Sequence, residues 1–286
     1  MLPSSSELRF HTMAKTVAIT GSAGFIGSLL SDAFREKGYK VVGIDKAVPS
    51  SQHTNDNKAE FEIKKEKYVN RVCDMSDPHS CKGIFENCDI VIHLAGDGNP
   101  KADFITSLVP NNIVSVYNVC TEAKISGVKR VIFASSNHTQ VYGFEECNAT
   151  KENFAGKFSL PKTGKINLDN CKDCPTSLYG VSKIAGEEIG HFFSTREQAF
   201  EFIALRIGWV VYDSPFAHKN TPLNDYLESM FLSKDDCIGY FLAAAETTNI
   251  NNKNPFYVGY AISNNETALY DIKKTCETLA FTPANG

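Results

Sequence analysis

The chain has 286 residues, of which 42% are hydrophobic and 22% charged, as in a globular protein with a substantial core. Its 29 Lys and Arg against 33 Asp and Glu give a formal charge of -4, which favours neither a nucleic-acid nor an anionic-membrane partner. No apolar run is long enough to span a bilayer. The composition therefore predicts a soluble protein that acts on a small molecule.

The cysteines indicate a reducing compartment. Their number is 9, which is odd, and the chain is too long to depend on disulfides, so free thiols and a cytoplasmic location are expected. Cys171 and Cys174 have the spacing of half a zinc site, but no second pair stands nearby. No metal is therefore expected.

Regular structure is expected from residue 15 onward. Residues 1–14 lack the apolar core of a secretory signal and are predicted to be a disordered tail. Strands are then predicted at 16–20, 40–45, 70–73, 89–94, 130–134 and 201–206, and helices at about 25–37, 111–126 and 179–197. Near-continuous apolar strands that alternate with helices predict a doubly wound α/β domain with a parallel sheet.

Two polar stretches, 46–69 and 144–176, are longer than ordinary connections. Each is interpreted as a mobile excursion or as a functional lid. Residues 15–206 are predicted to form the main domain, and residues 207–286 a small substrate-binding cap that shares its core.

A glycine-spaced turn follows the first strand and opens the first helix, in the run Thr20-Gly-Ser-Ala-Gly-Phe-Ile-Gly-Ser28. Such glycines allow a tight turn and close approach of a pyrophosphate, and the helix N-terminus presents N–H groups to it. A P-loop is disfavoured because no Gly-Lys-Ser/Thr follows. The alternative is a turn without a ligand. The predicted dinucleotide contacts are Gly21, Ala23, Gly24, Phe25, Ile26 and Gly27.

Asp45 ends the second strand, where a carboxylate can accept hydrogen bonds from both adenosine ribose hydroxyls of NAD. A 2′-phosphate would meet a like charge there, so NAD is expected and NADP is less favoured, with Lys46 leaving some tolerance. An exposed aspartate without a ligand is the alternative interpretation.

Tyr179 and Lys183 stand four residues apart at the start of a predicted helix and therefore share one face. The ammonium is expected to lower the pKa of the phenol from about 10, toward that of a general base. A solvated surface pair is the alternative. The run Phe133-Ala-Ser-Ser-Asn-His138 ends another strand, at the edge where open α/β sheets bind ligands.

Together these motifs resemble the extended short-chain dehydrogenases/reductases, the NAD-dependent epimerase/dehydratase family, over about residues 15–283. The resemblance implies a Rossmann fold in which Ser136 positions the substrate oxygen, Tyr179 is the base, and Lys183 activates Tyr179 and binds a ribose. Members often pair as homodimers through the two long helices. Further cofactor contacts implied by the resemblance are Asp74, Met75, Leu94, Ala95, Gly96, Asn112 and Ile207.

Within that family, the segments 135–138, 206–208, 232–236 and 260–265 are similar to those of uronate dehydrogenases. The similarity implies that Asn137 and His138 contact a sugar, with turn capping and a structural histidine as the alternatives. Asp235 and Asp236 are expected to cap or begin a helix and not to be catalytic.

Two departures from the uronate dehydrogenases leave the substrate open. Trp209 replaces a small polar residue, and Tyr226 replaces an arginine that would clamp a carboxylate. Both are candidate substrate contacts. The favoured function is NAD-dependent oxidation of the anomeric carbon of a sugar acid or related sugar to a lactone. The alternatives are a nucleotide-sugar epimerase that retains NAD, or a catalytically silent NAD(P)-binding sensor or scaffold.

Overall fold

A seven-stranded parallel sheet forms the centre of the molecule. The computed structural model describes residues 14–46, 68–139, 175–210, 227–266, 268 and 270–284. Its strands are β1 (Thr16–Thr20), β2 (Lys40–Asp45), β3 (Tyr68–Val72), β4 (Ile90–His93), β5 (Arg130–Ser136), β6 (Glu201–Ile207), β7 (Trp209–Val210), β8 (Phe231–Leu232) and β9 (Phe256–Ala261). The sheet order is β3-β2-β1-β4-β5-β6-β9, which confirms the predicted doubly wound parallel sheet.

Helices cover both faces of this sheet because alternate strand residues point to opposite sides. The described α-helices are α1 (Phe25–Glu36), α2 (Ser115–Ser126), α3 (Leu178–His191), α4 (Lys234–Glu246) and α5 (Lys273–Leu279). On one face Leu30 and Phe241 pack in a cluster with Ile19 and Ile92. On the other, Val119 packs in a cluster that includes Ala18, Val91 and Phe133.

Several element boundaries differ from the predictions. β3 begins at Tyr68, inside the stretch expected to be polar loop. The helix expected from residue 111 begins earlier, with a π-helical segment, Phe104–Val114, that runs into α2. The Asp103 carboxylate caps that segment by accepting from the Thr106 N–H at 2.8 Å, a local signal that the apolar periodicity did not reveal. A second π-helical segment, Phe192–Arg196, follows α3.

The described part of residues 207–286 contributes to the same core. β9 pairs with β6, and β7 pairs with β8 in a separate two-stranded sheet. Neither β9 nor α5 was predicted. The start of α4 agrees with expectation, since Asp235 and Asp236 lie in its first turn, although Ser233 provides the cap. The domain division at residue 206 stays a prediction. No described helix has the length and apolar character needed to cross a membrane.

Candidate active site

A crevice of about 430 Å³ opens at the carboxyl edge of the sheet, where the chain leaves β1, β2, β3 and β4. In this strand order the connections from β1 and β4 run to opposite sides of the sheet, which opens a cleft between them. The crevice is lined by Gly21, Gly24, Ile44, Asp45, Lys46, Cys73, Asp74, Met75, Ser76, Leu94, Ala95, Gly96, Asp97, Gly98, Ser107, Asn111 and Ser115. The predicted contacts Gly21, Gly24, Asp45, Asp74, Met75, Leu94, Ala95 and Gly96 therefore share one cavity.

In the glycine turn the backbone packs so closely against its neighbours that a side chain would collide with them. Gly21 has a φ of +71°, and a Cβ there would lie 2.8 Å from the Ala95 nitrogen. A Cβ on Gly27 would lie 2.1 Å from the Gly21 carbonyl oxygen, so this glycine lets α1 approach the turn. No side chain caps α1, and its first turn holds no acidic residue. An open helix N-terminus beside a crevice of this size fits a dinucleotide pyrophosphate.

The carboxylates of the crevice are held by local hydrogen bonds. Asp45 accepts the Ala23 N–H at 3.0 Å, which joins the end of β2 to the glycine turn. The Ser76 hydroxyl at 2.7 Å and the Ser76 N–H at 2.9 Å both bind the Asp74 carboxylate and lower its pKa. Of the other predicted cofactor residues, Ala23, Phe25, Ile26 and Gly27 belong to the turn and the start of α1, and Ile207 ends β6.

Ser136 and Tyr179 are brought into contact by tertiary packing. Ser136 is the last residue of β5 and Tyr179 lies in the first turn of α3. Burial raises the pKa of Tyr179 above its ordinary value, the hydrogen bond with Ser136 opposes that change, and the charge of Asp97 adds to it. The sequence-based expectation of a lowered phenol pKa was therefore wrong, because burial outweighs the other influences.

Lys183 is buried, and its ammonium donates to the Ala134 carbonyl at 2.9 Å. Its Nζ lies 5.7 Å from the Tyr179 ring centroid and 4.9 Å from that of Phe133. Burial lowers the pKa of Lys183 to about 8, against the opposing charge of Glu187. The helical spacing does place the Lys183 ammonium beside Tyr179. The hydrogen bond of that ammonium is made to β5, through the Ala134 carbonyl.

Asn112 joins the loop after β4 to the tyrosine helix. Its side-chain oxygen accepts the Asp97 N–H at 2.7 Å, and its amide donates to the Asp97 carbonyl at 3.0 Å. The same amide donates to the Ser182 hydroxyl at 3.0 Å, and Ser182 donates to the Tyr179 carbonyl at 2.7 Å. Asn112 thus lies behind the crevice, and it positions Asp97 relative to Tyr179.

The predicted substrate residues have different surroundings. The Asn137 side-chain amide donates to the Met230 sulfur at 2.8 Å, and the Asn137 backbone carbonyl accepts from the Tyr270 hydroxyl at 3.3 Å. His138 packs edge-on against Tyr179, with ring centroids 5.6 Å apart, and burial lowers its pKa. Trp209 is half-buried in β7, directly after β6. Tyr226 lies outside the described residues.

Several residues that sequence reasoning missed support the site. Glu187, one turn after Lys183, accepts from the Ser135 hydroxyl at 2.5 Å and from Arg206 at 2.6 Å. All three side chains are buried, so this ion pair fixes α3 against β5 and β6. The spacing of Glu187 from Tyr179 and Lys183 along one helix face was a signal that could have revealed it.

His93 is a second missed residue. Its Nδ1 lies 2.8 Å from the Thr20 hydroxyl, and its Nε2 is buried without a hydrogen-bond partner in the described chain. Burial, helped by the charge of Lys183, lowers its pKa to about 3, so the ring stays neutral. Its position at the end of β4, at the carboxyl edge of the sheet, was a signal that it lies near the site. Asp97 was missed as well, although it follows the same strand.

Comparisons with known proteins agree with this architecture. The sequence profile of the NAD dependent epimerase/dehydratase family matches residues 17–222. An L-arabinose 1-dehydrogenase (NAD(P)(+)) of Haloferax volcanii is 27% identical over 93% of this chain and 95% of its own length. A uronate dehydrogenase of Pseudomonas syringae pv. tomato is 28% identical over 91% of this chain and 79% of its own. The crystal structure of uronate dehydrogenase from Agrobacterium tumefaciens superposes with a TM-score of 0.72 at 21% identity, covering 95% and 85% of the two chains.

The fold and the crevice define a dinucleotide-binding α/β protein. The chain belongs to the NAD dependent epimerase/dehydratase family, as its motifs indicated.

Proposed function

We propose that this chain is an NAD-dependent dehydrogenase that oxidises the anomeric carbon of a sugar acid or a related sugar to a lactone. The observation that carries the proposal is the grouping of Ser136, Tyr179 and Lys183 at the carboxyl edge of the sheet. The dehydrogenase relatives from H. volcanii and P. syringae support this reaction, since each aligns with more than nine-tenths of the chain.

The residues of the crevice suit NAD, which supplies a hydride acceptor when bound. Gly21, Gly24 and the N-terminus of α1 would hold its pyrophosphate. The Asp45 carboxylate would accept hydrogen bonds from the adenosine ribose hydroxyls of NAD, and its charge would disfavour a 2′-phosphate.

The proton of the substrate hydroxyl passes to Tyr179, and the Ser136 hydroxyl holds the same oxygen. Because burial raises the pKa of Tyr179, the phenolate depends on stabilisation by Ser136 and by the Lys183 ammonium. Asn137, His138, Trp209 and Tyr226 are the proposed contacts to the rest of the sugar.

The test is NADH absorbance after the enzyme is mixed with NAD and a panel of uronates, neutral aldoses and sugar phosphates. We expect reduction with at least one sugar, and loss of turnover in Tyr179→Phe with NAD binding retained. Absence of a signal from the whole panel would contradict the proposal. Tightly bound NAD that copurifies without net reduction would indicate the epimerase. A biological role that survives Tyr179→Phe would indicate the sensor.

We further propose that two copies pair through α2 and α3. Ile125 is 70% exposed, Tyr117 53% and Phe192 51%, and these side chains line a groove between α2 and the end of α3 that is edged by Lys124, Glu188 and Glu197. Contiguous exposed apolar surface of this kind is typical of a protein interface. Light scattering should find a dimer that Ile125→Asp converts to a monomer. A monomeric parent protein would contradict the pairing.

A cytoplasmic location is also proposed, and it is supported by the free state of the six described cysteines. A fluorescent fusion that localises to another compartment would contradict it.

A further inference from the structure

Cys73 lines the crevice, and its thiol is paired with that of Cys81; the dehydrogenase chemistry uses neither thiol. Cys73 follows β3, and Cys81 lies in the turns that lead toward β4. Their sulfurs are 3.8 Å apart, and the two residues are 3% and 1% exposed. Their side chains therefore already meet in the folded protein.

The two thiols enclose the turn between them. The Cys73 thiol donates to the Ser80 carbonyl at 3.3 Å. The Cys81 sulfur lies 3.7 Å from the Met75 carbonyl oxygen and 3.8 Å from that of Asp74. A disulfide has an S–S distance of about 2.05 Å. Forming one must close the present gap and remove both S–H groups, and with them the thiol contacts to these carbonyls of the turn.

That turn is part of the crevice. Cys73, Asp74, Met75 and Ser76 all line it, so a displaced turn changes the shape of its wall. Because Cys73 is a lining residue, a small oxidant that enters the crevice comes next to it. A dinucleotide that fills the crevice would cover Cys73.

We propose that Cys73 and Cys81 are a thiol-oxidation site, at which a peroxide forms a disulfide that weakens dinucleotide binding. The effect on binding rests on the proposed function, whereas the formation of the disulfide does not.

The chemistry starts at Cys73. Because Cys81 can donate to its sulfur, the pKa of Cys73 is lowered, against burial and the charges of Asp74, Asp77 and Glu122. The Cys73 thiol loses its proton, and the resulting thiolate attacks one peroxide oxygen. The O–O bond breaks, and the departing hydroxide takes up a proton, which balances the one that Cys73 lost, to become water. The Cys81 thiol then displaces a second water from the Cys73 sulfenic acid. The two thiols lose two electrons, and hydrogen peroxide is reduced to two waters.

The experiment treats the full chain with hydrogen peroxide, with and without saturating NAD, then blocks free thiols and maps peptides by mass spectrometry. We expect a Cys73–Cys81 cross-link that dithiothreitol reverses and that NAD slows. NAD affinity, measured by calorimetry, should fall roughly tenfold on oxidation and recover on reduction.

Two variants give the matched comparison. Cys81→Ser should keep its NAD affinity through peroxide treatment, whereas Cys276→Ser, which removes a thiol elsewhere, should behave like the parent protein. Disulfides between other cysteines, over-oxidation without a cross-link, or a cross-link that leaves NAD affinity unchanged would each overturn the inference. A reduced protein that binds no NAD would instead contradict the proposed function.

Discussion

At the scale of single residues, the negative charge of Asp97 adds to burial in making the Tyr179 phenolate harder to form. Asp97 follows β4 and is fixed by Asn112, and its carboxylate also accepts from Ser107 at 2.5 Å. The negative charge raises the pKa of Tyr179 in addition to burial. A base with a raised pKa is protonated, and therefore inactive, over a wider range of acid pH.

Asp97→Asn removes this charge and keeps the shape of the side chain. The pKa of Tyr179 should fall, so the acid limb of the kcat/KM profile should move to lower pH, by up to about one unit. The pH dependence of NADH formation measures this. Glu188→Gln removes an exposed charge of the same sign on α3 and should leave the profile unchanged. A shift to higher pH in Asp97→Asn would contradict the assignment of Tyr179 as the base.

Asp45 is the residue that selects between the two dinucleotides in this proposal. Asp45→Asn preserves an acceptor for the Ala23 N–H but removes the charge that repels a 2′-phosphate. The ratio of NAD affinity to NADP affinity should fall roughly tenfold, as titration of each dinucleotide would show. Asp77→Asn is the control, since Asp77 lies outside the crevice lining. An unchanged ratio would exclude Asp45 from cofactor selection.

At the scale of elements, α3 carries the candidate base and lies unusually close to the sheet. A Cβ on Gly186 would lie 2.8 Å from the Phe133 ring, and one on Gly190 would lie 2.2 Å from the Phe202 ring. One on Gly180 would lie 2.1 Å from the His138 carbonyl oxygen. Gly186 and Gly190 thus let α3 approach β5 and β6, and Gly180 lets it approach the turn that follows β5, which positions Tyr179 and Lys183.

Gly190→Ala should force α3 away from Phe202 and destabilise the fold by about 1–3 kcal/mol, the cost of overpacking a dense core. A lower urea midpoint with an unchanged m-value would show this. Glu188→Ala, on the exposed side of the same helix, should unfold close to the parent midpoint. If Gly190→Ala unfolds at the parent midpoint, the close packing of α3 does not limit stability.

At the scale of the whole molecule, a buried ion pair and its serine partner join one helix to two strands of the sheet. Glu187 on α3 binds Arg206 on β6 through two hydrogen bonds, of 2.9 and 2.6 Å, and it accepts from Ser135 on β5. Both charged side chains are less than one-twentieth exposed. Such a pair holds its geometry firmly, and removing one partner leaves a buried charge uncompensated.

Glu187→Gln should destabilise the protein by about 3–5 kcal/mol, because the buried Arg206 guanidinium loses the charge of the Glu187 carboxylate. Thermal and urea unfolding measure the loss. The double variant Glu187→Gln/Arg206→Gln removes both charges and should lose less than the sum of the single variants. Strictly additive losses would show that the two side chains do not act as a pair.

Local features of this fold could be predicted because each depends on neighbouring residues. Each such feature occupies only a few consecutive positions of the chain. Examples are the apolar runs of β1, β2 and β5, the glycine turn and the Tyr179–Lys183 spacing. β9 (Phe256–Ala261) was missed because it belongs to the sheet through pairing with β6, a strand about fifty residues earlier, which no local pattern shows. The start of β3 was missed because its residues continue a polar stretch.

The amino-acid sequence by itself determined the fold class, the glycine turn, the strand-end aspartate and the family resemblance, all of which follow from local pattern and order along the chain. Only the tertiary structure decided that the pKa of Tyr179 rises, that the charge of Asp97 adds to this rise, that Glu187 pairs with Arg206 and that Cys73 meets Cys81. The physical reason is that burial and electrostatic contact depend on distances in space, and these join residues that the linear sequence keeps apart.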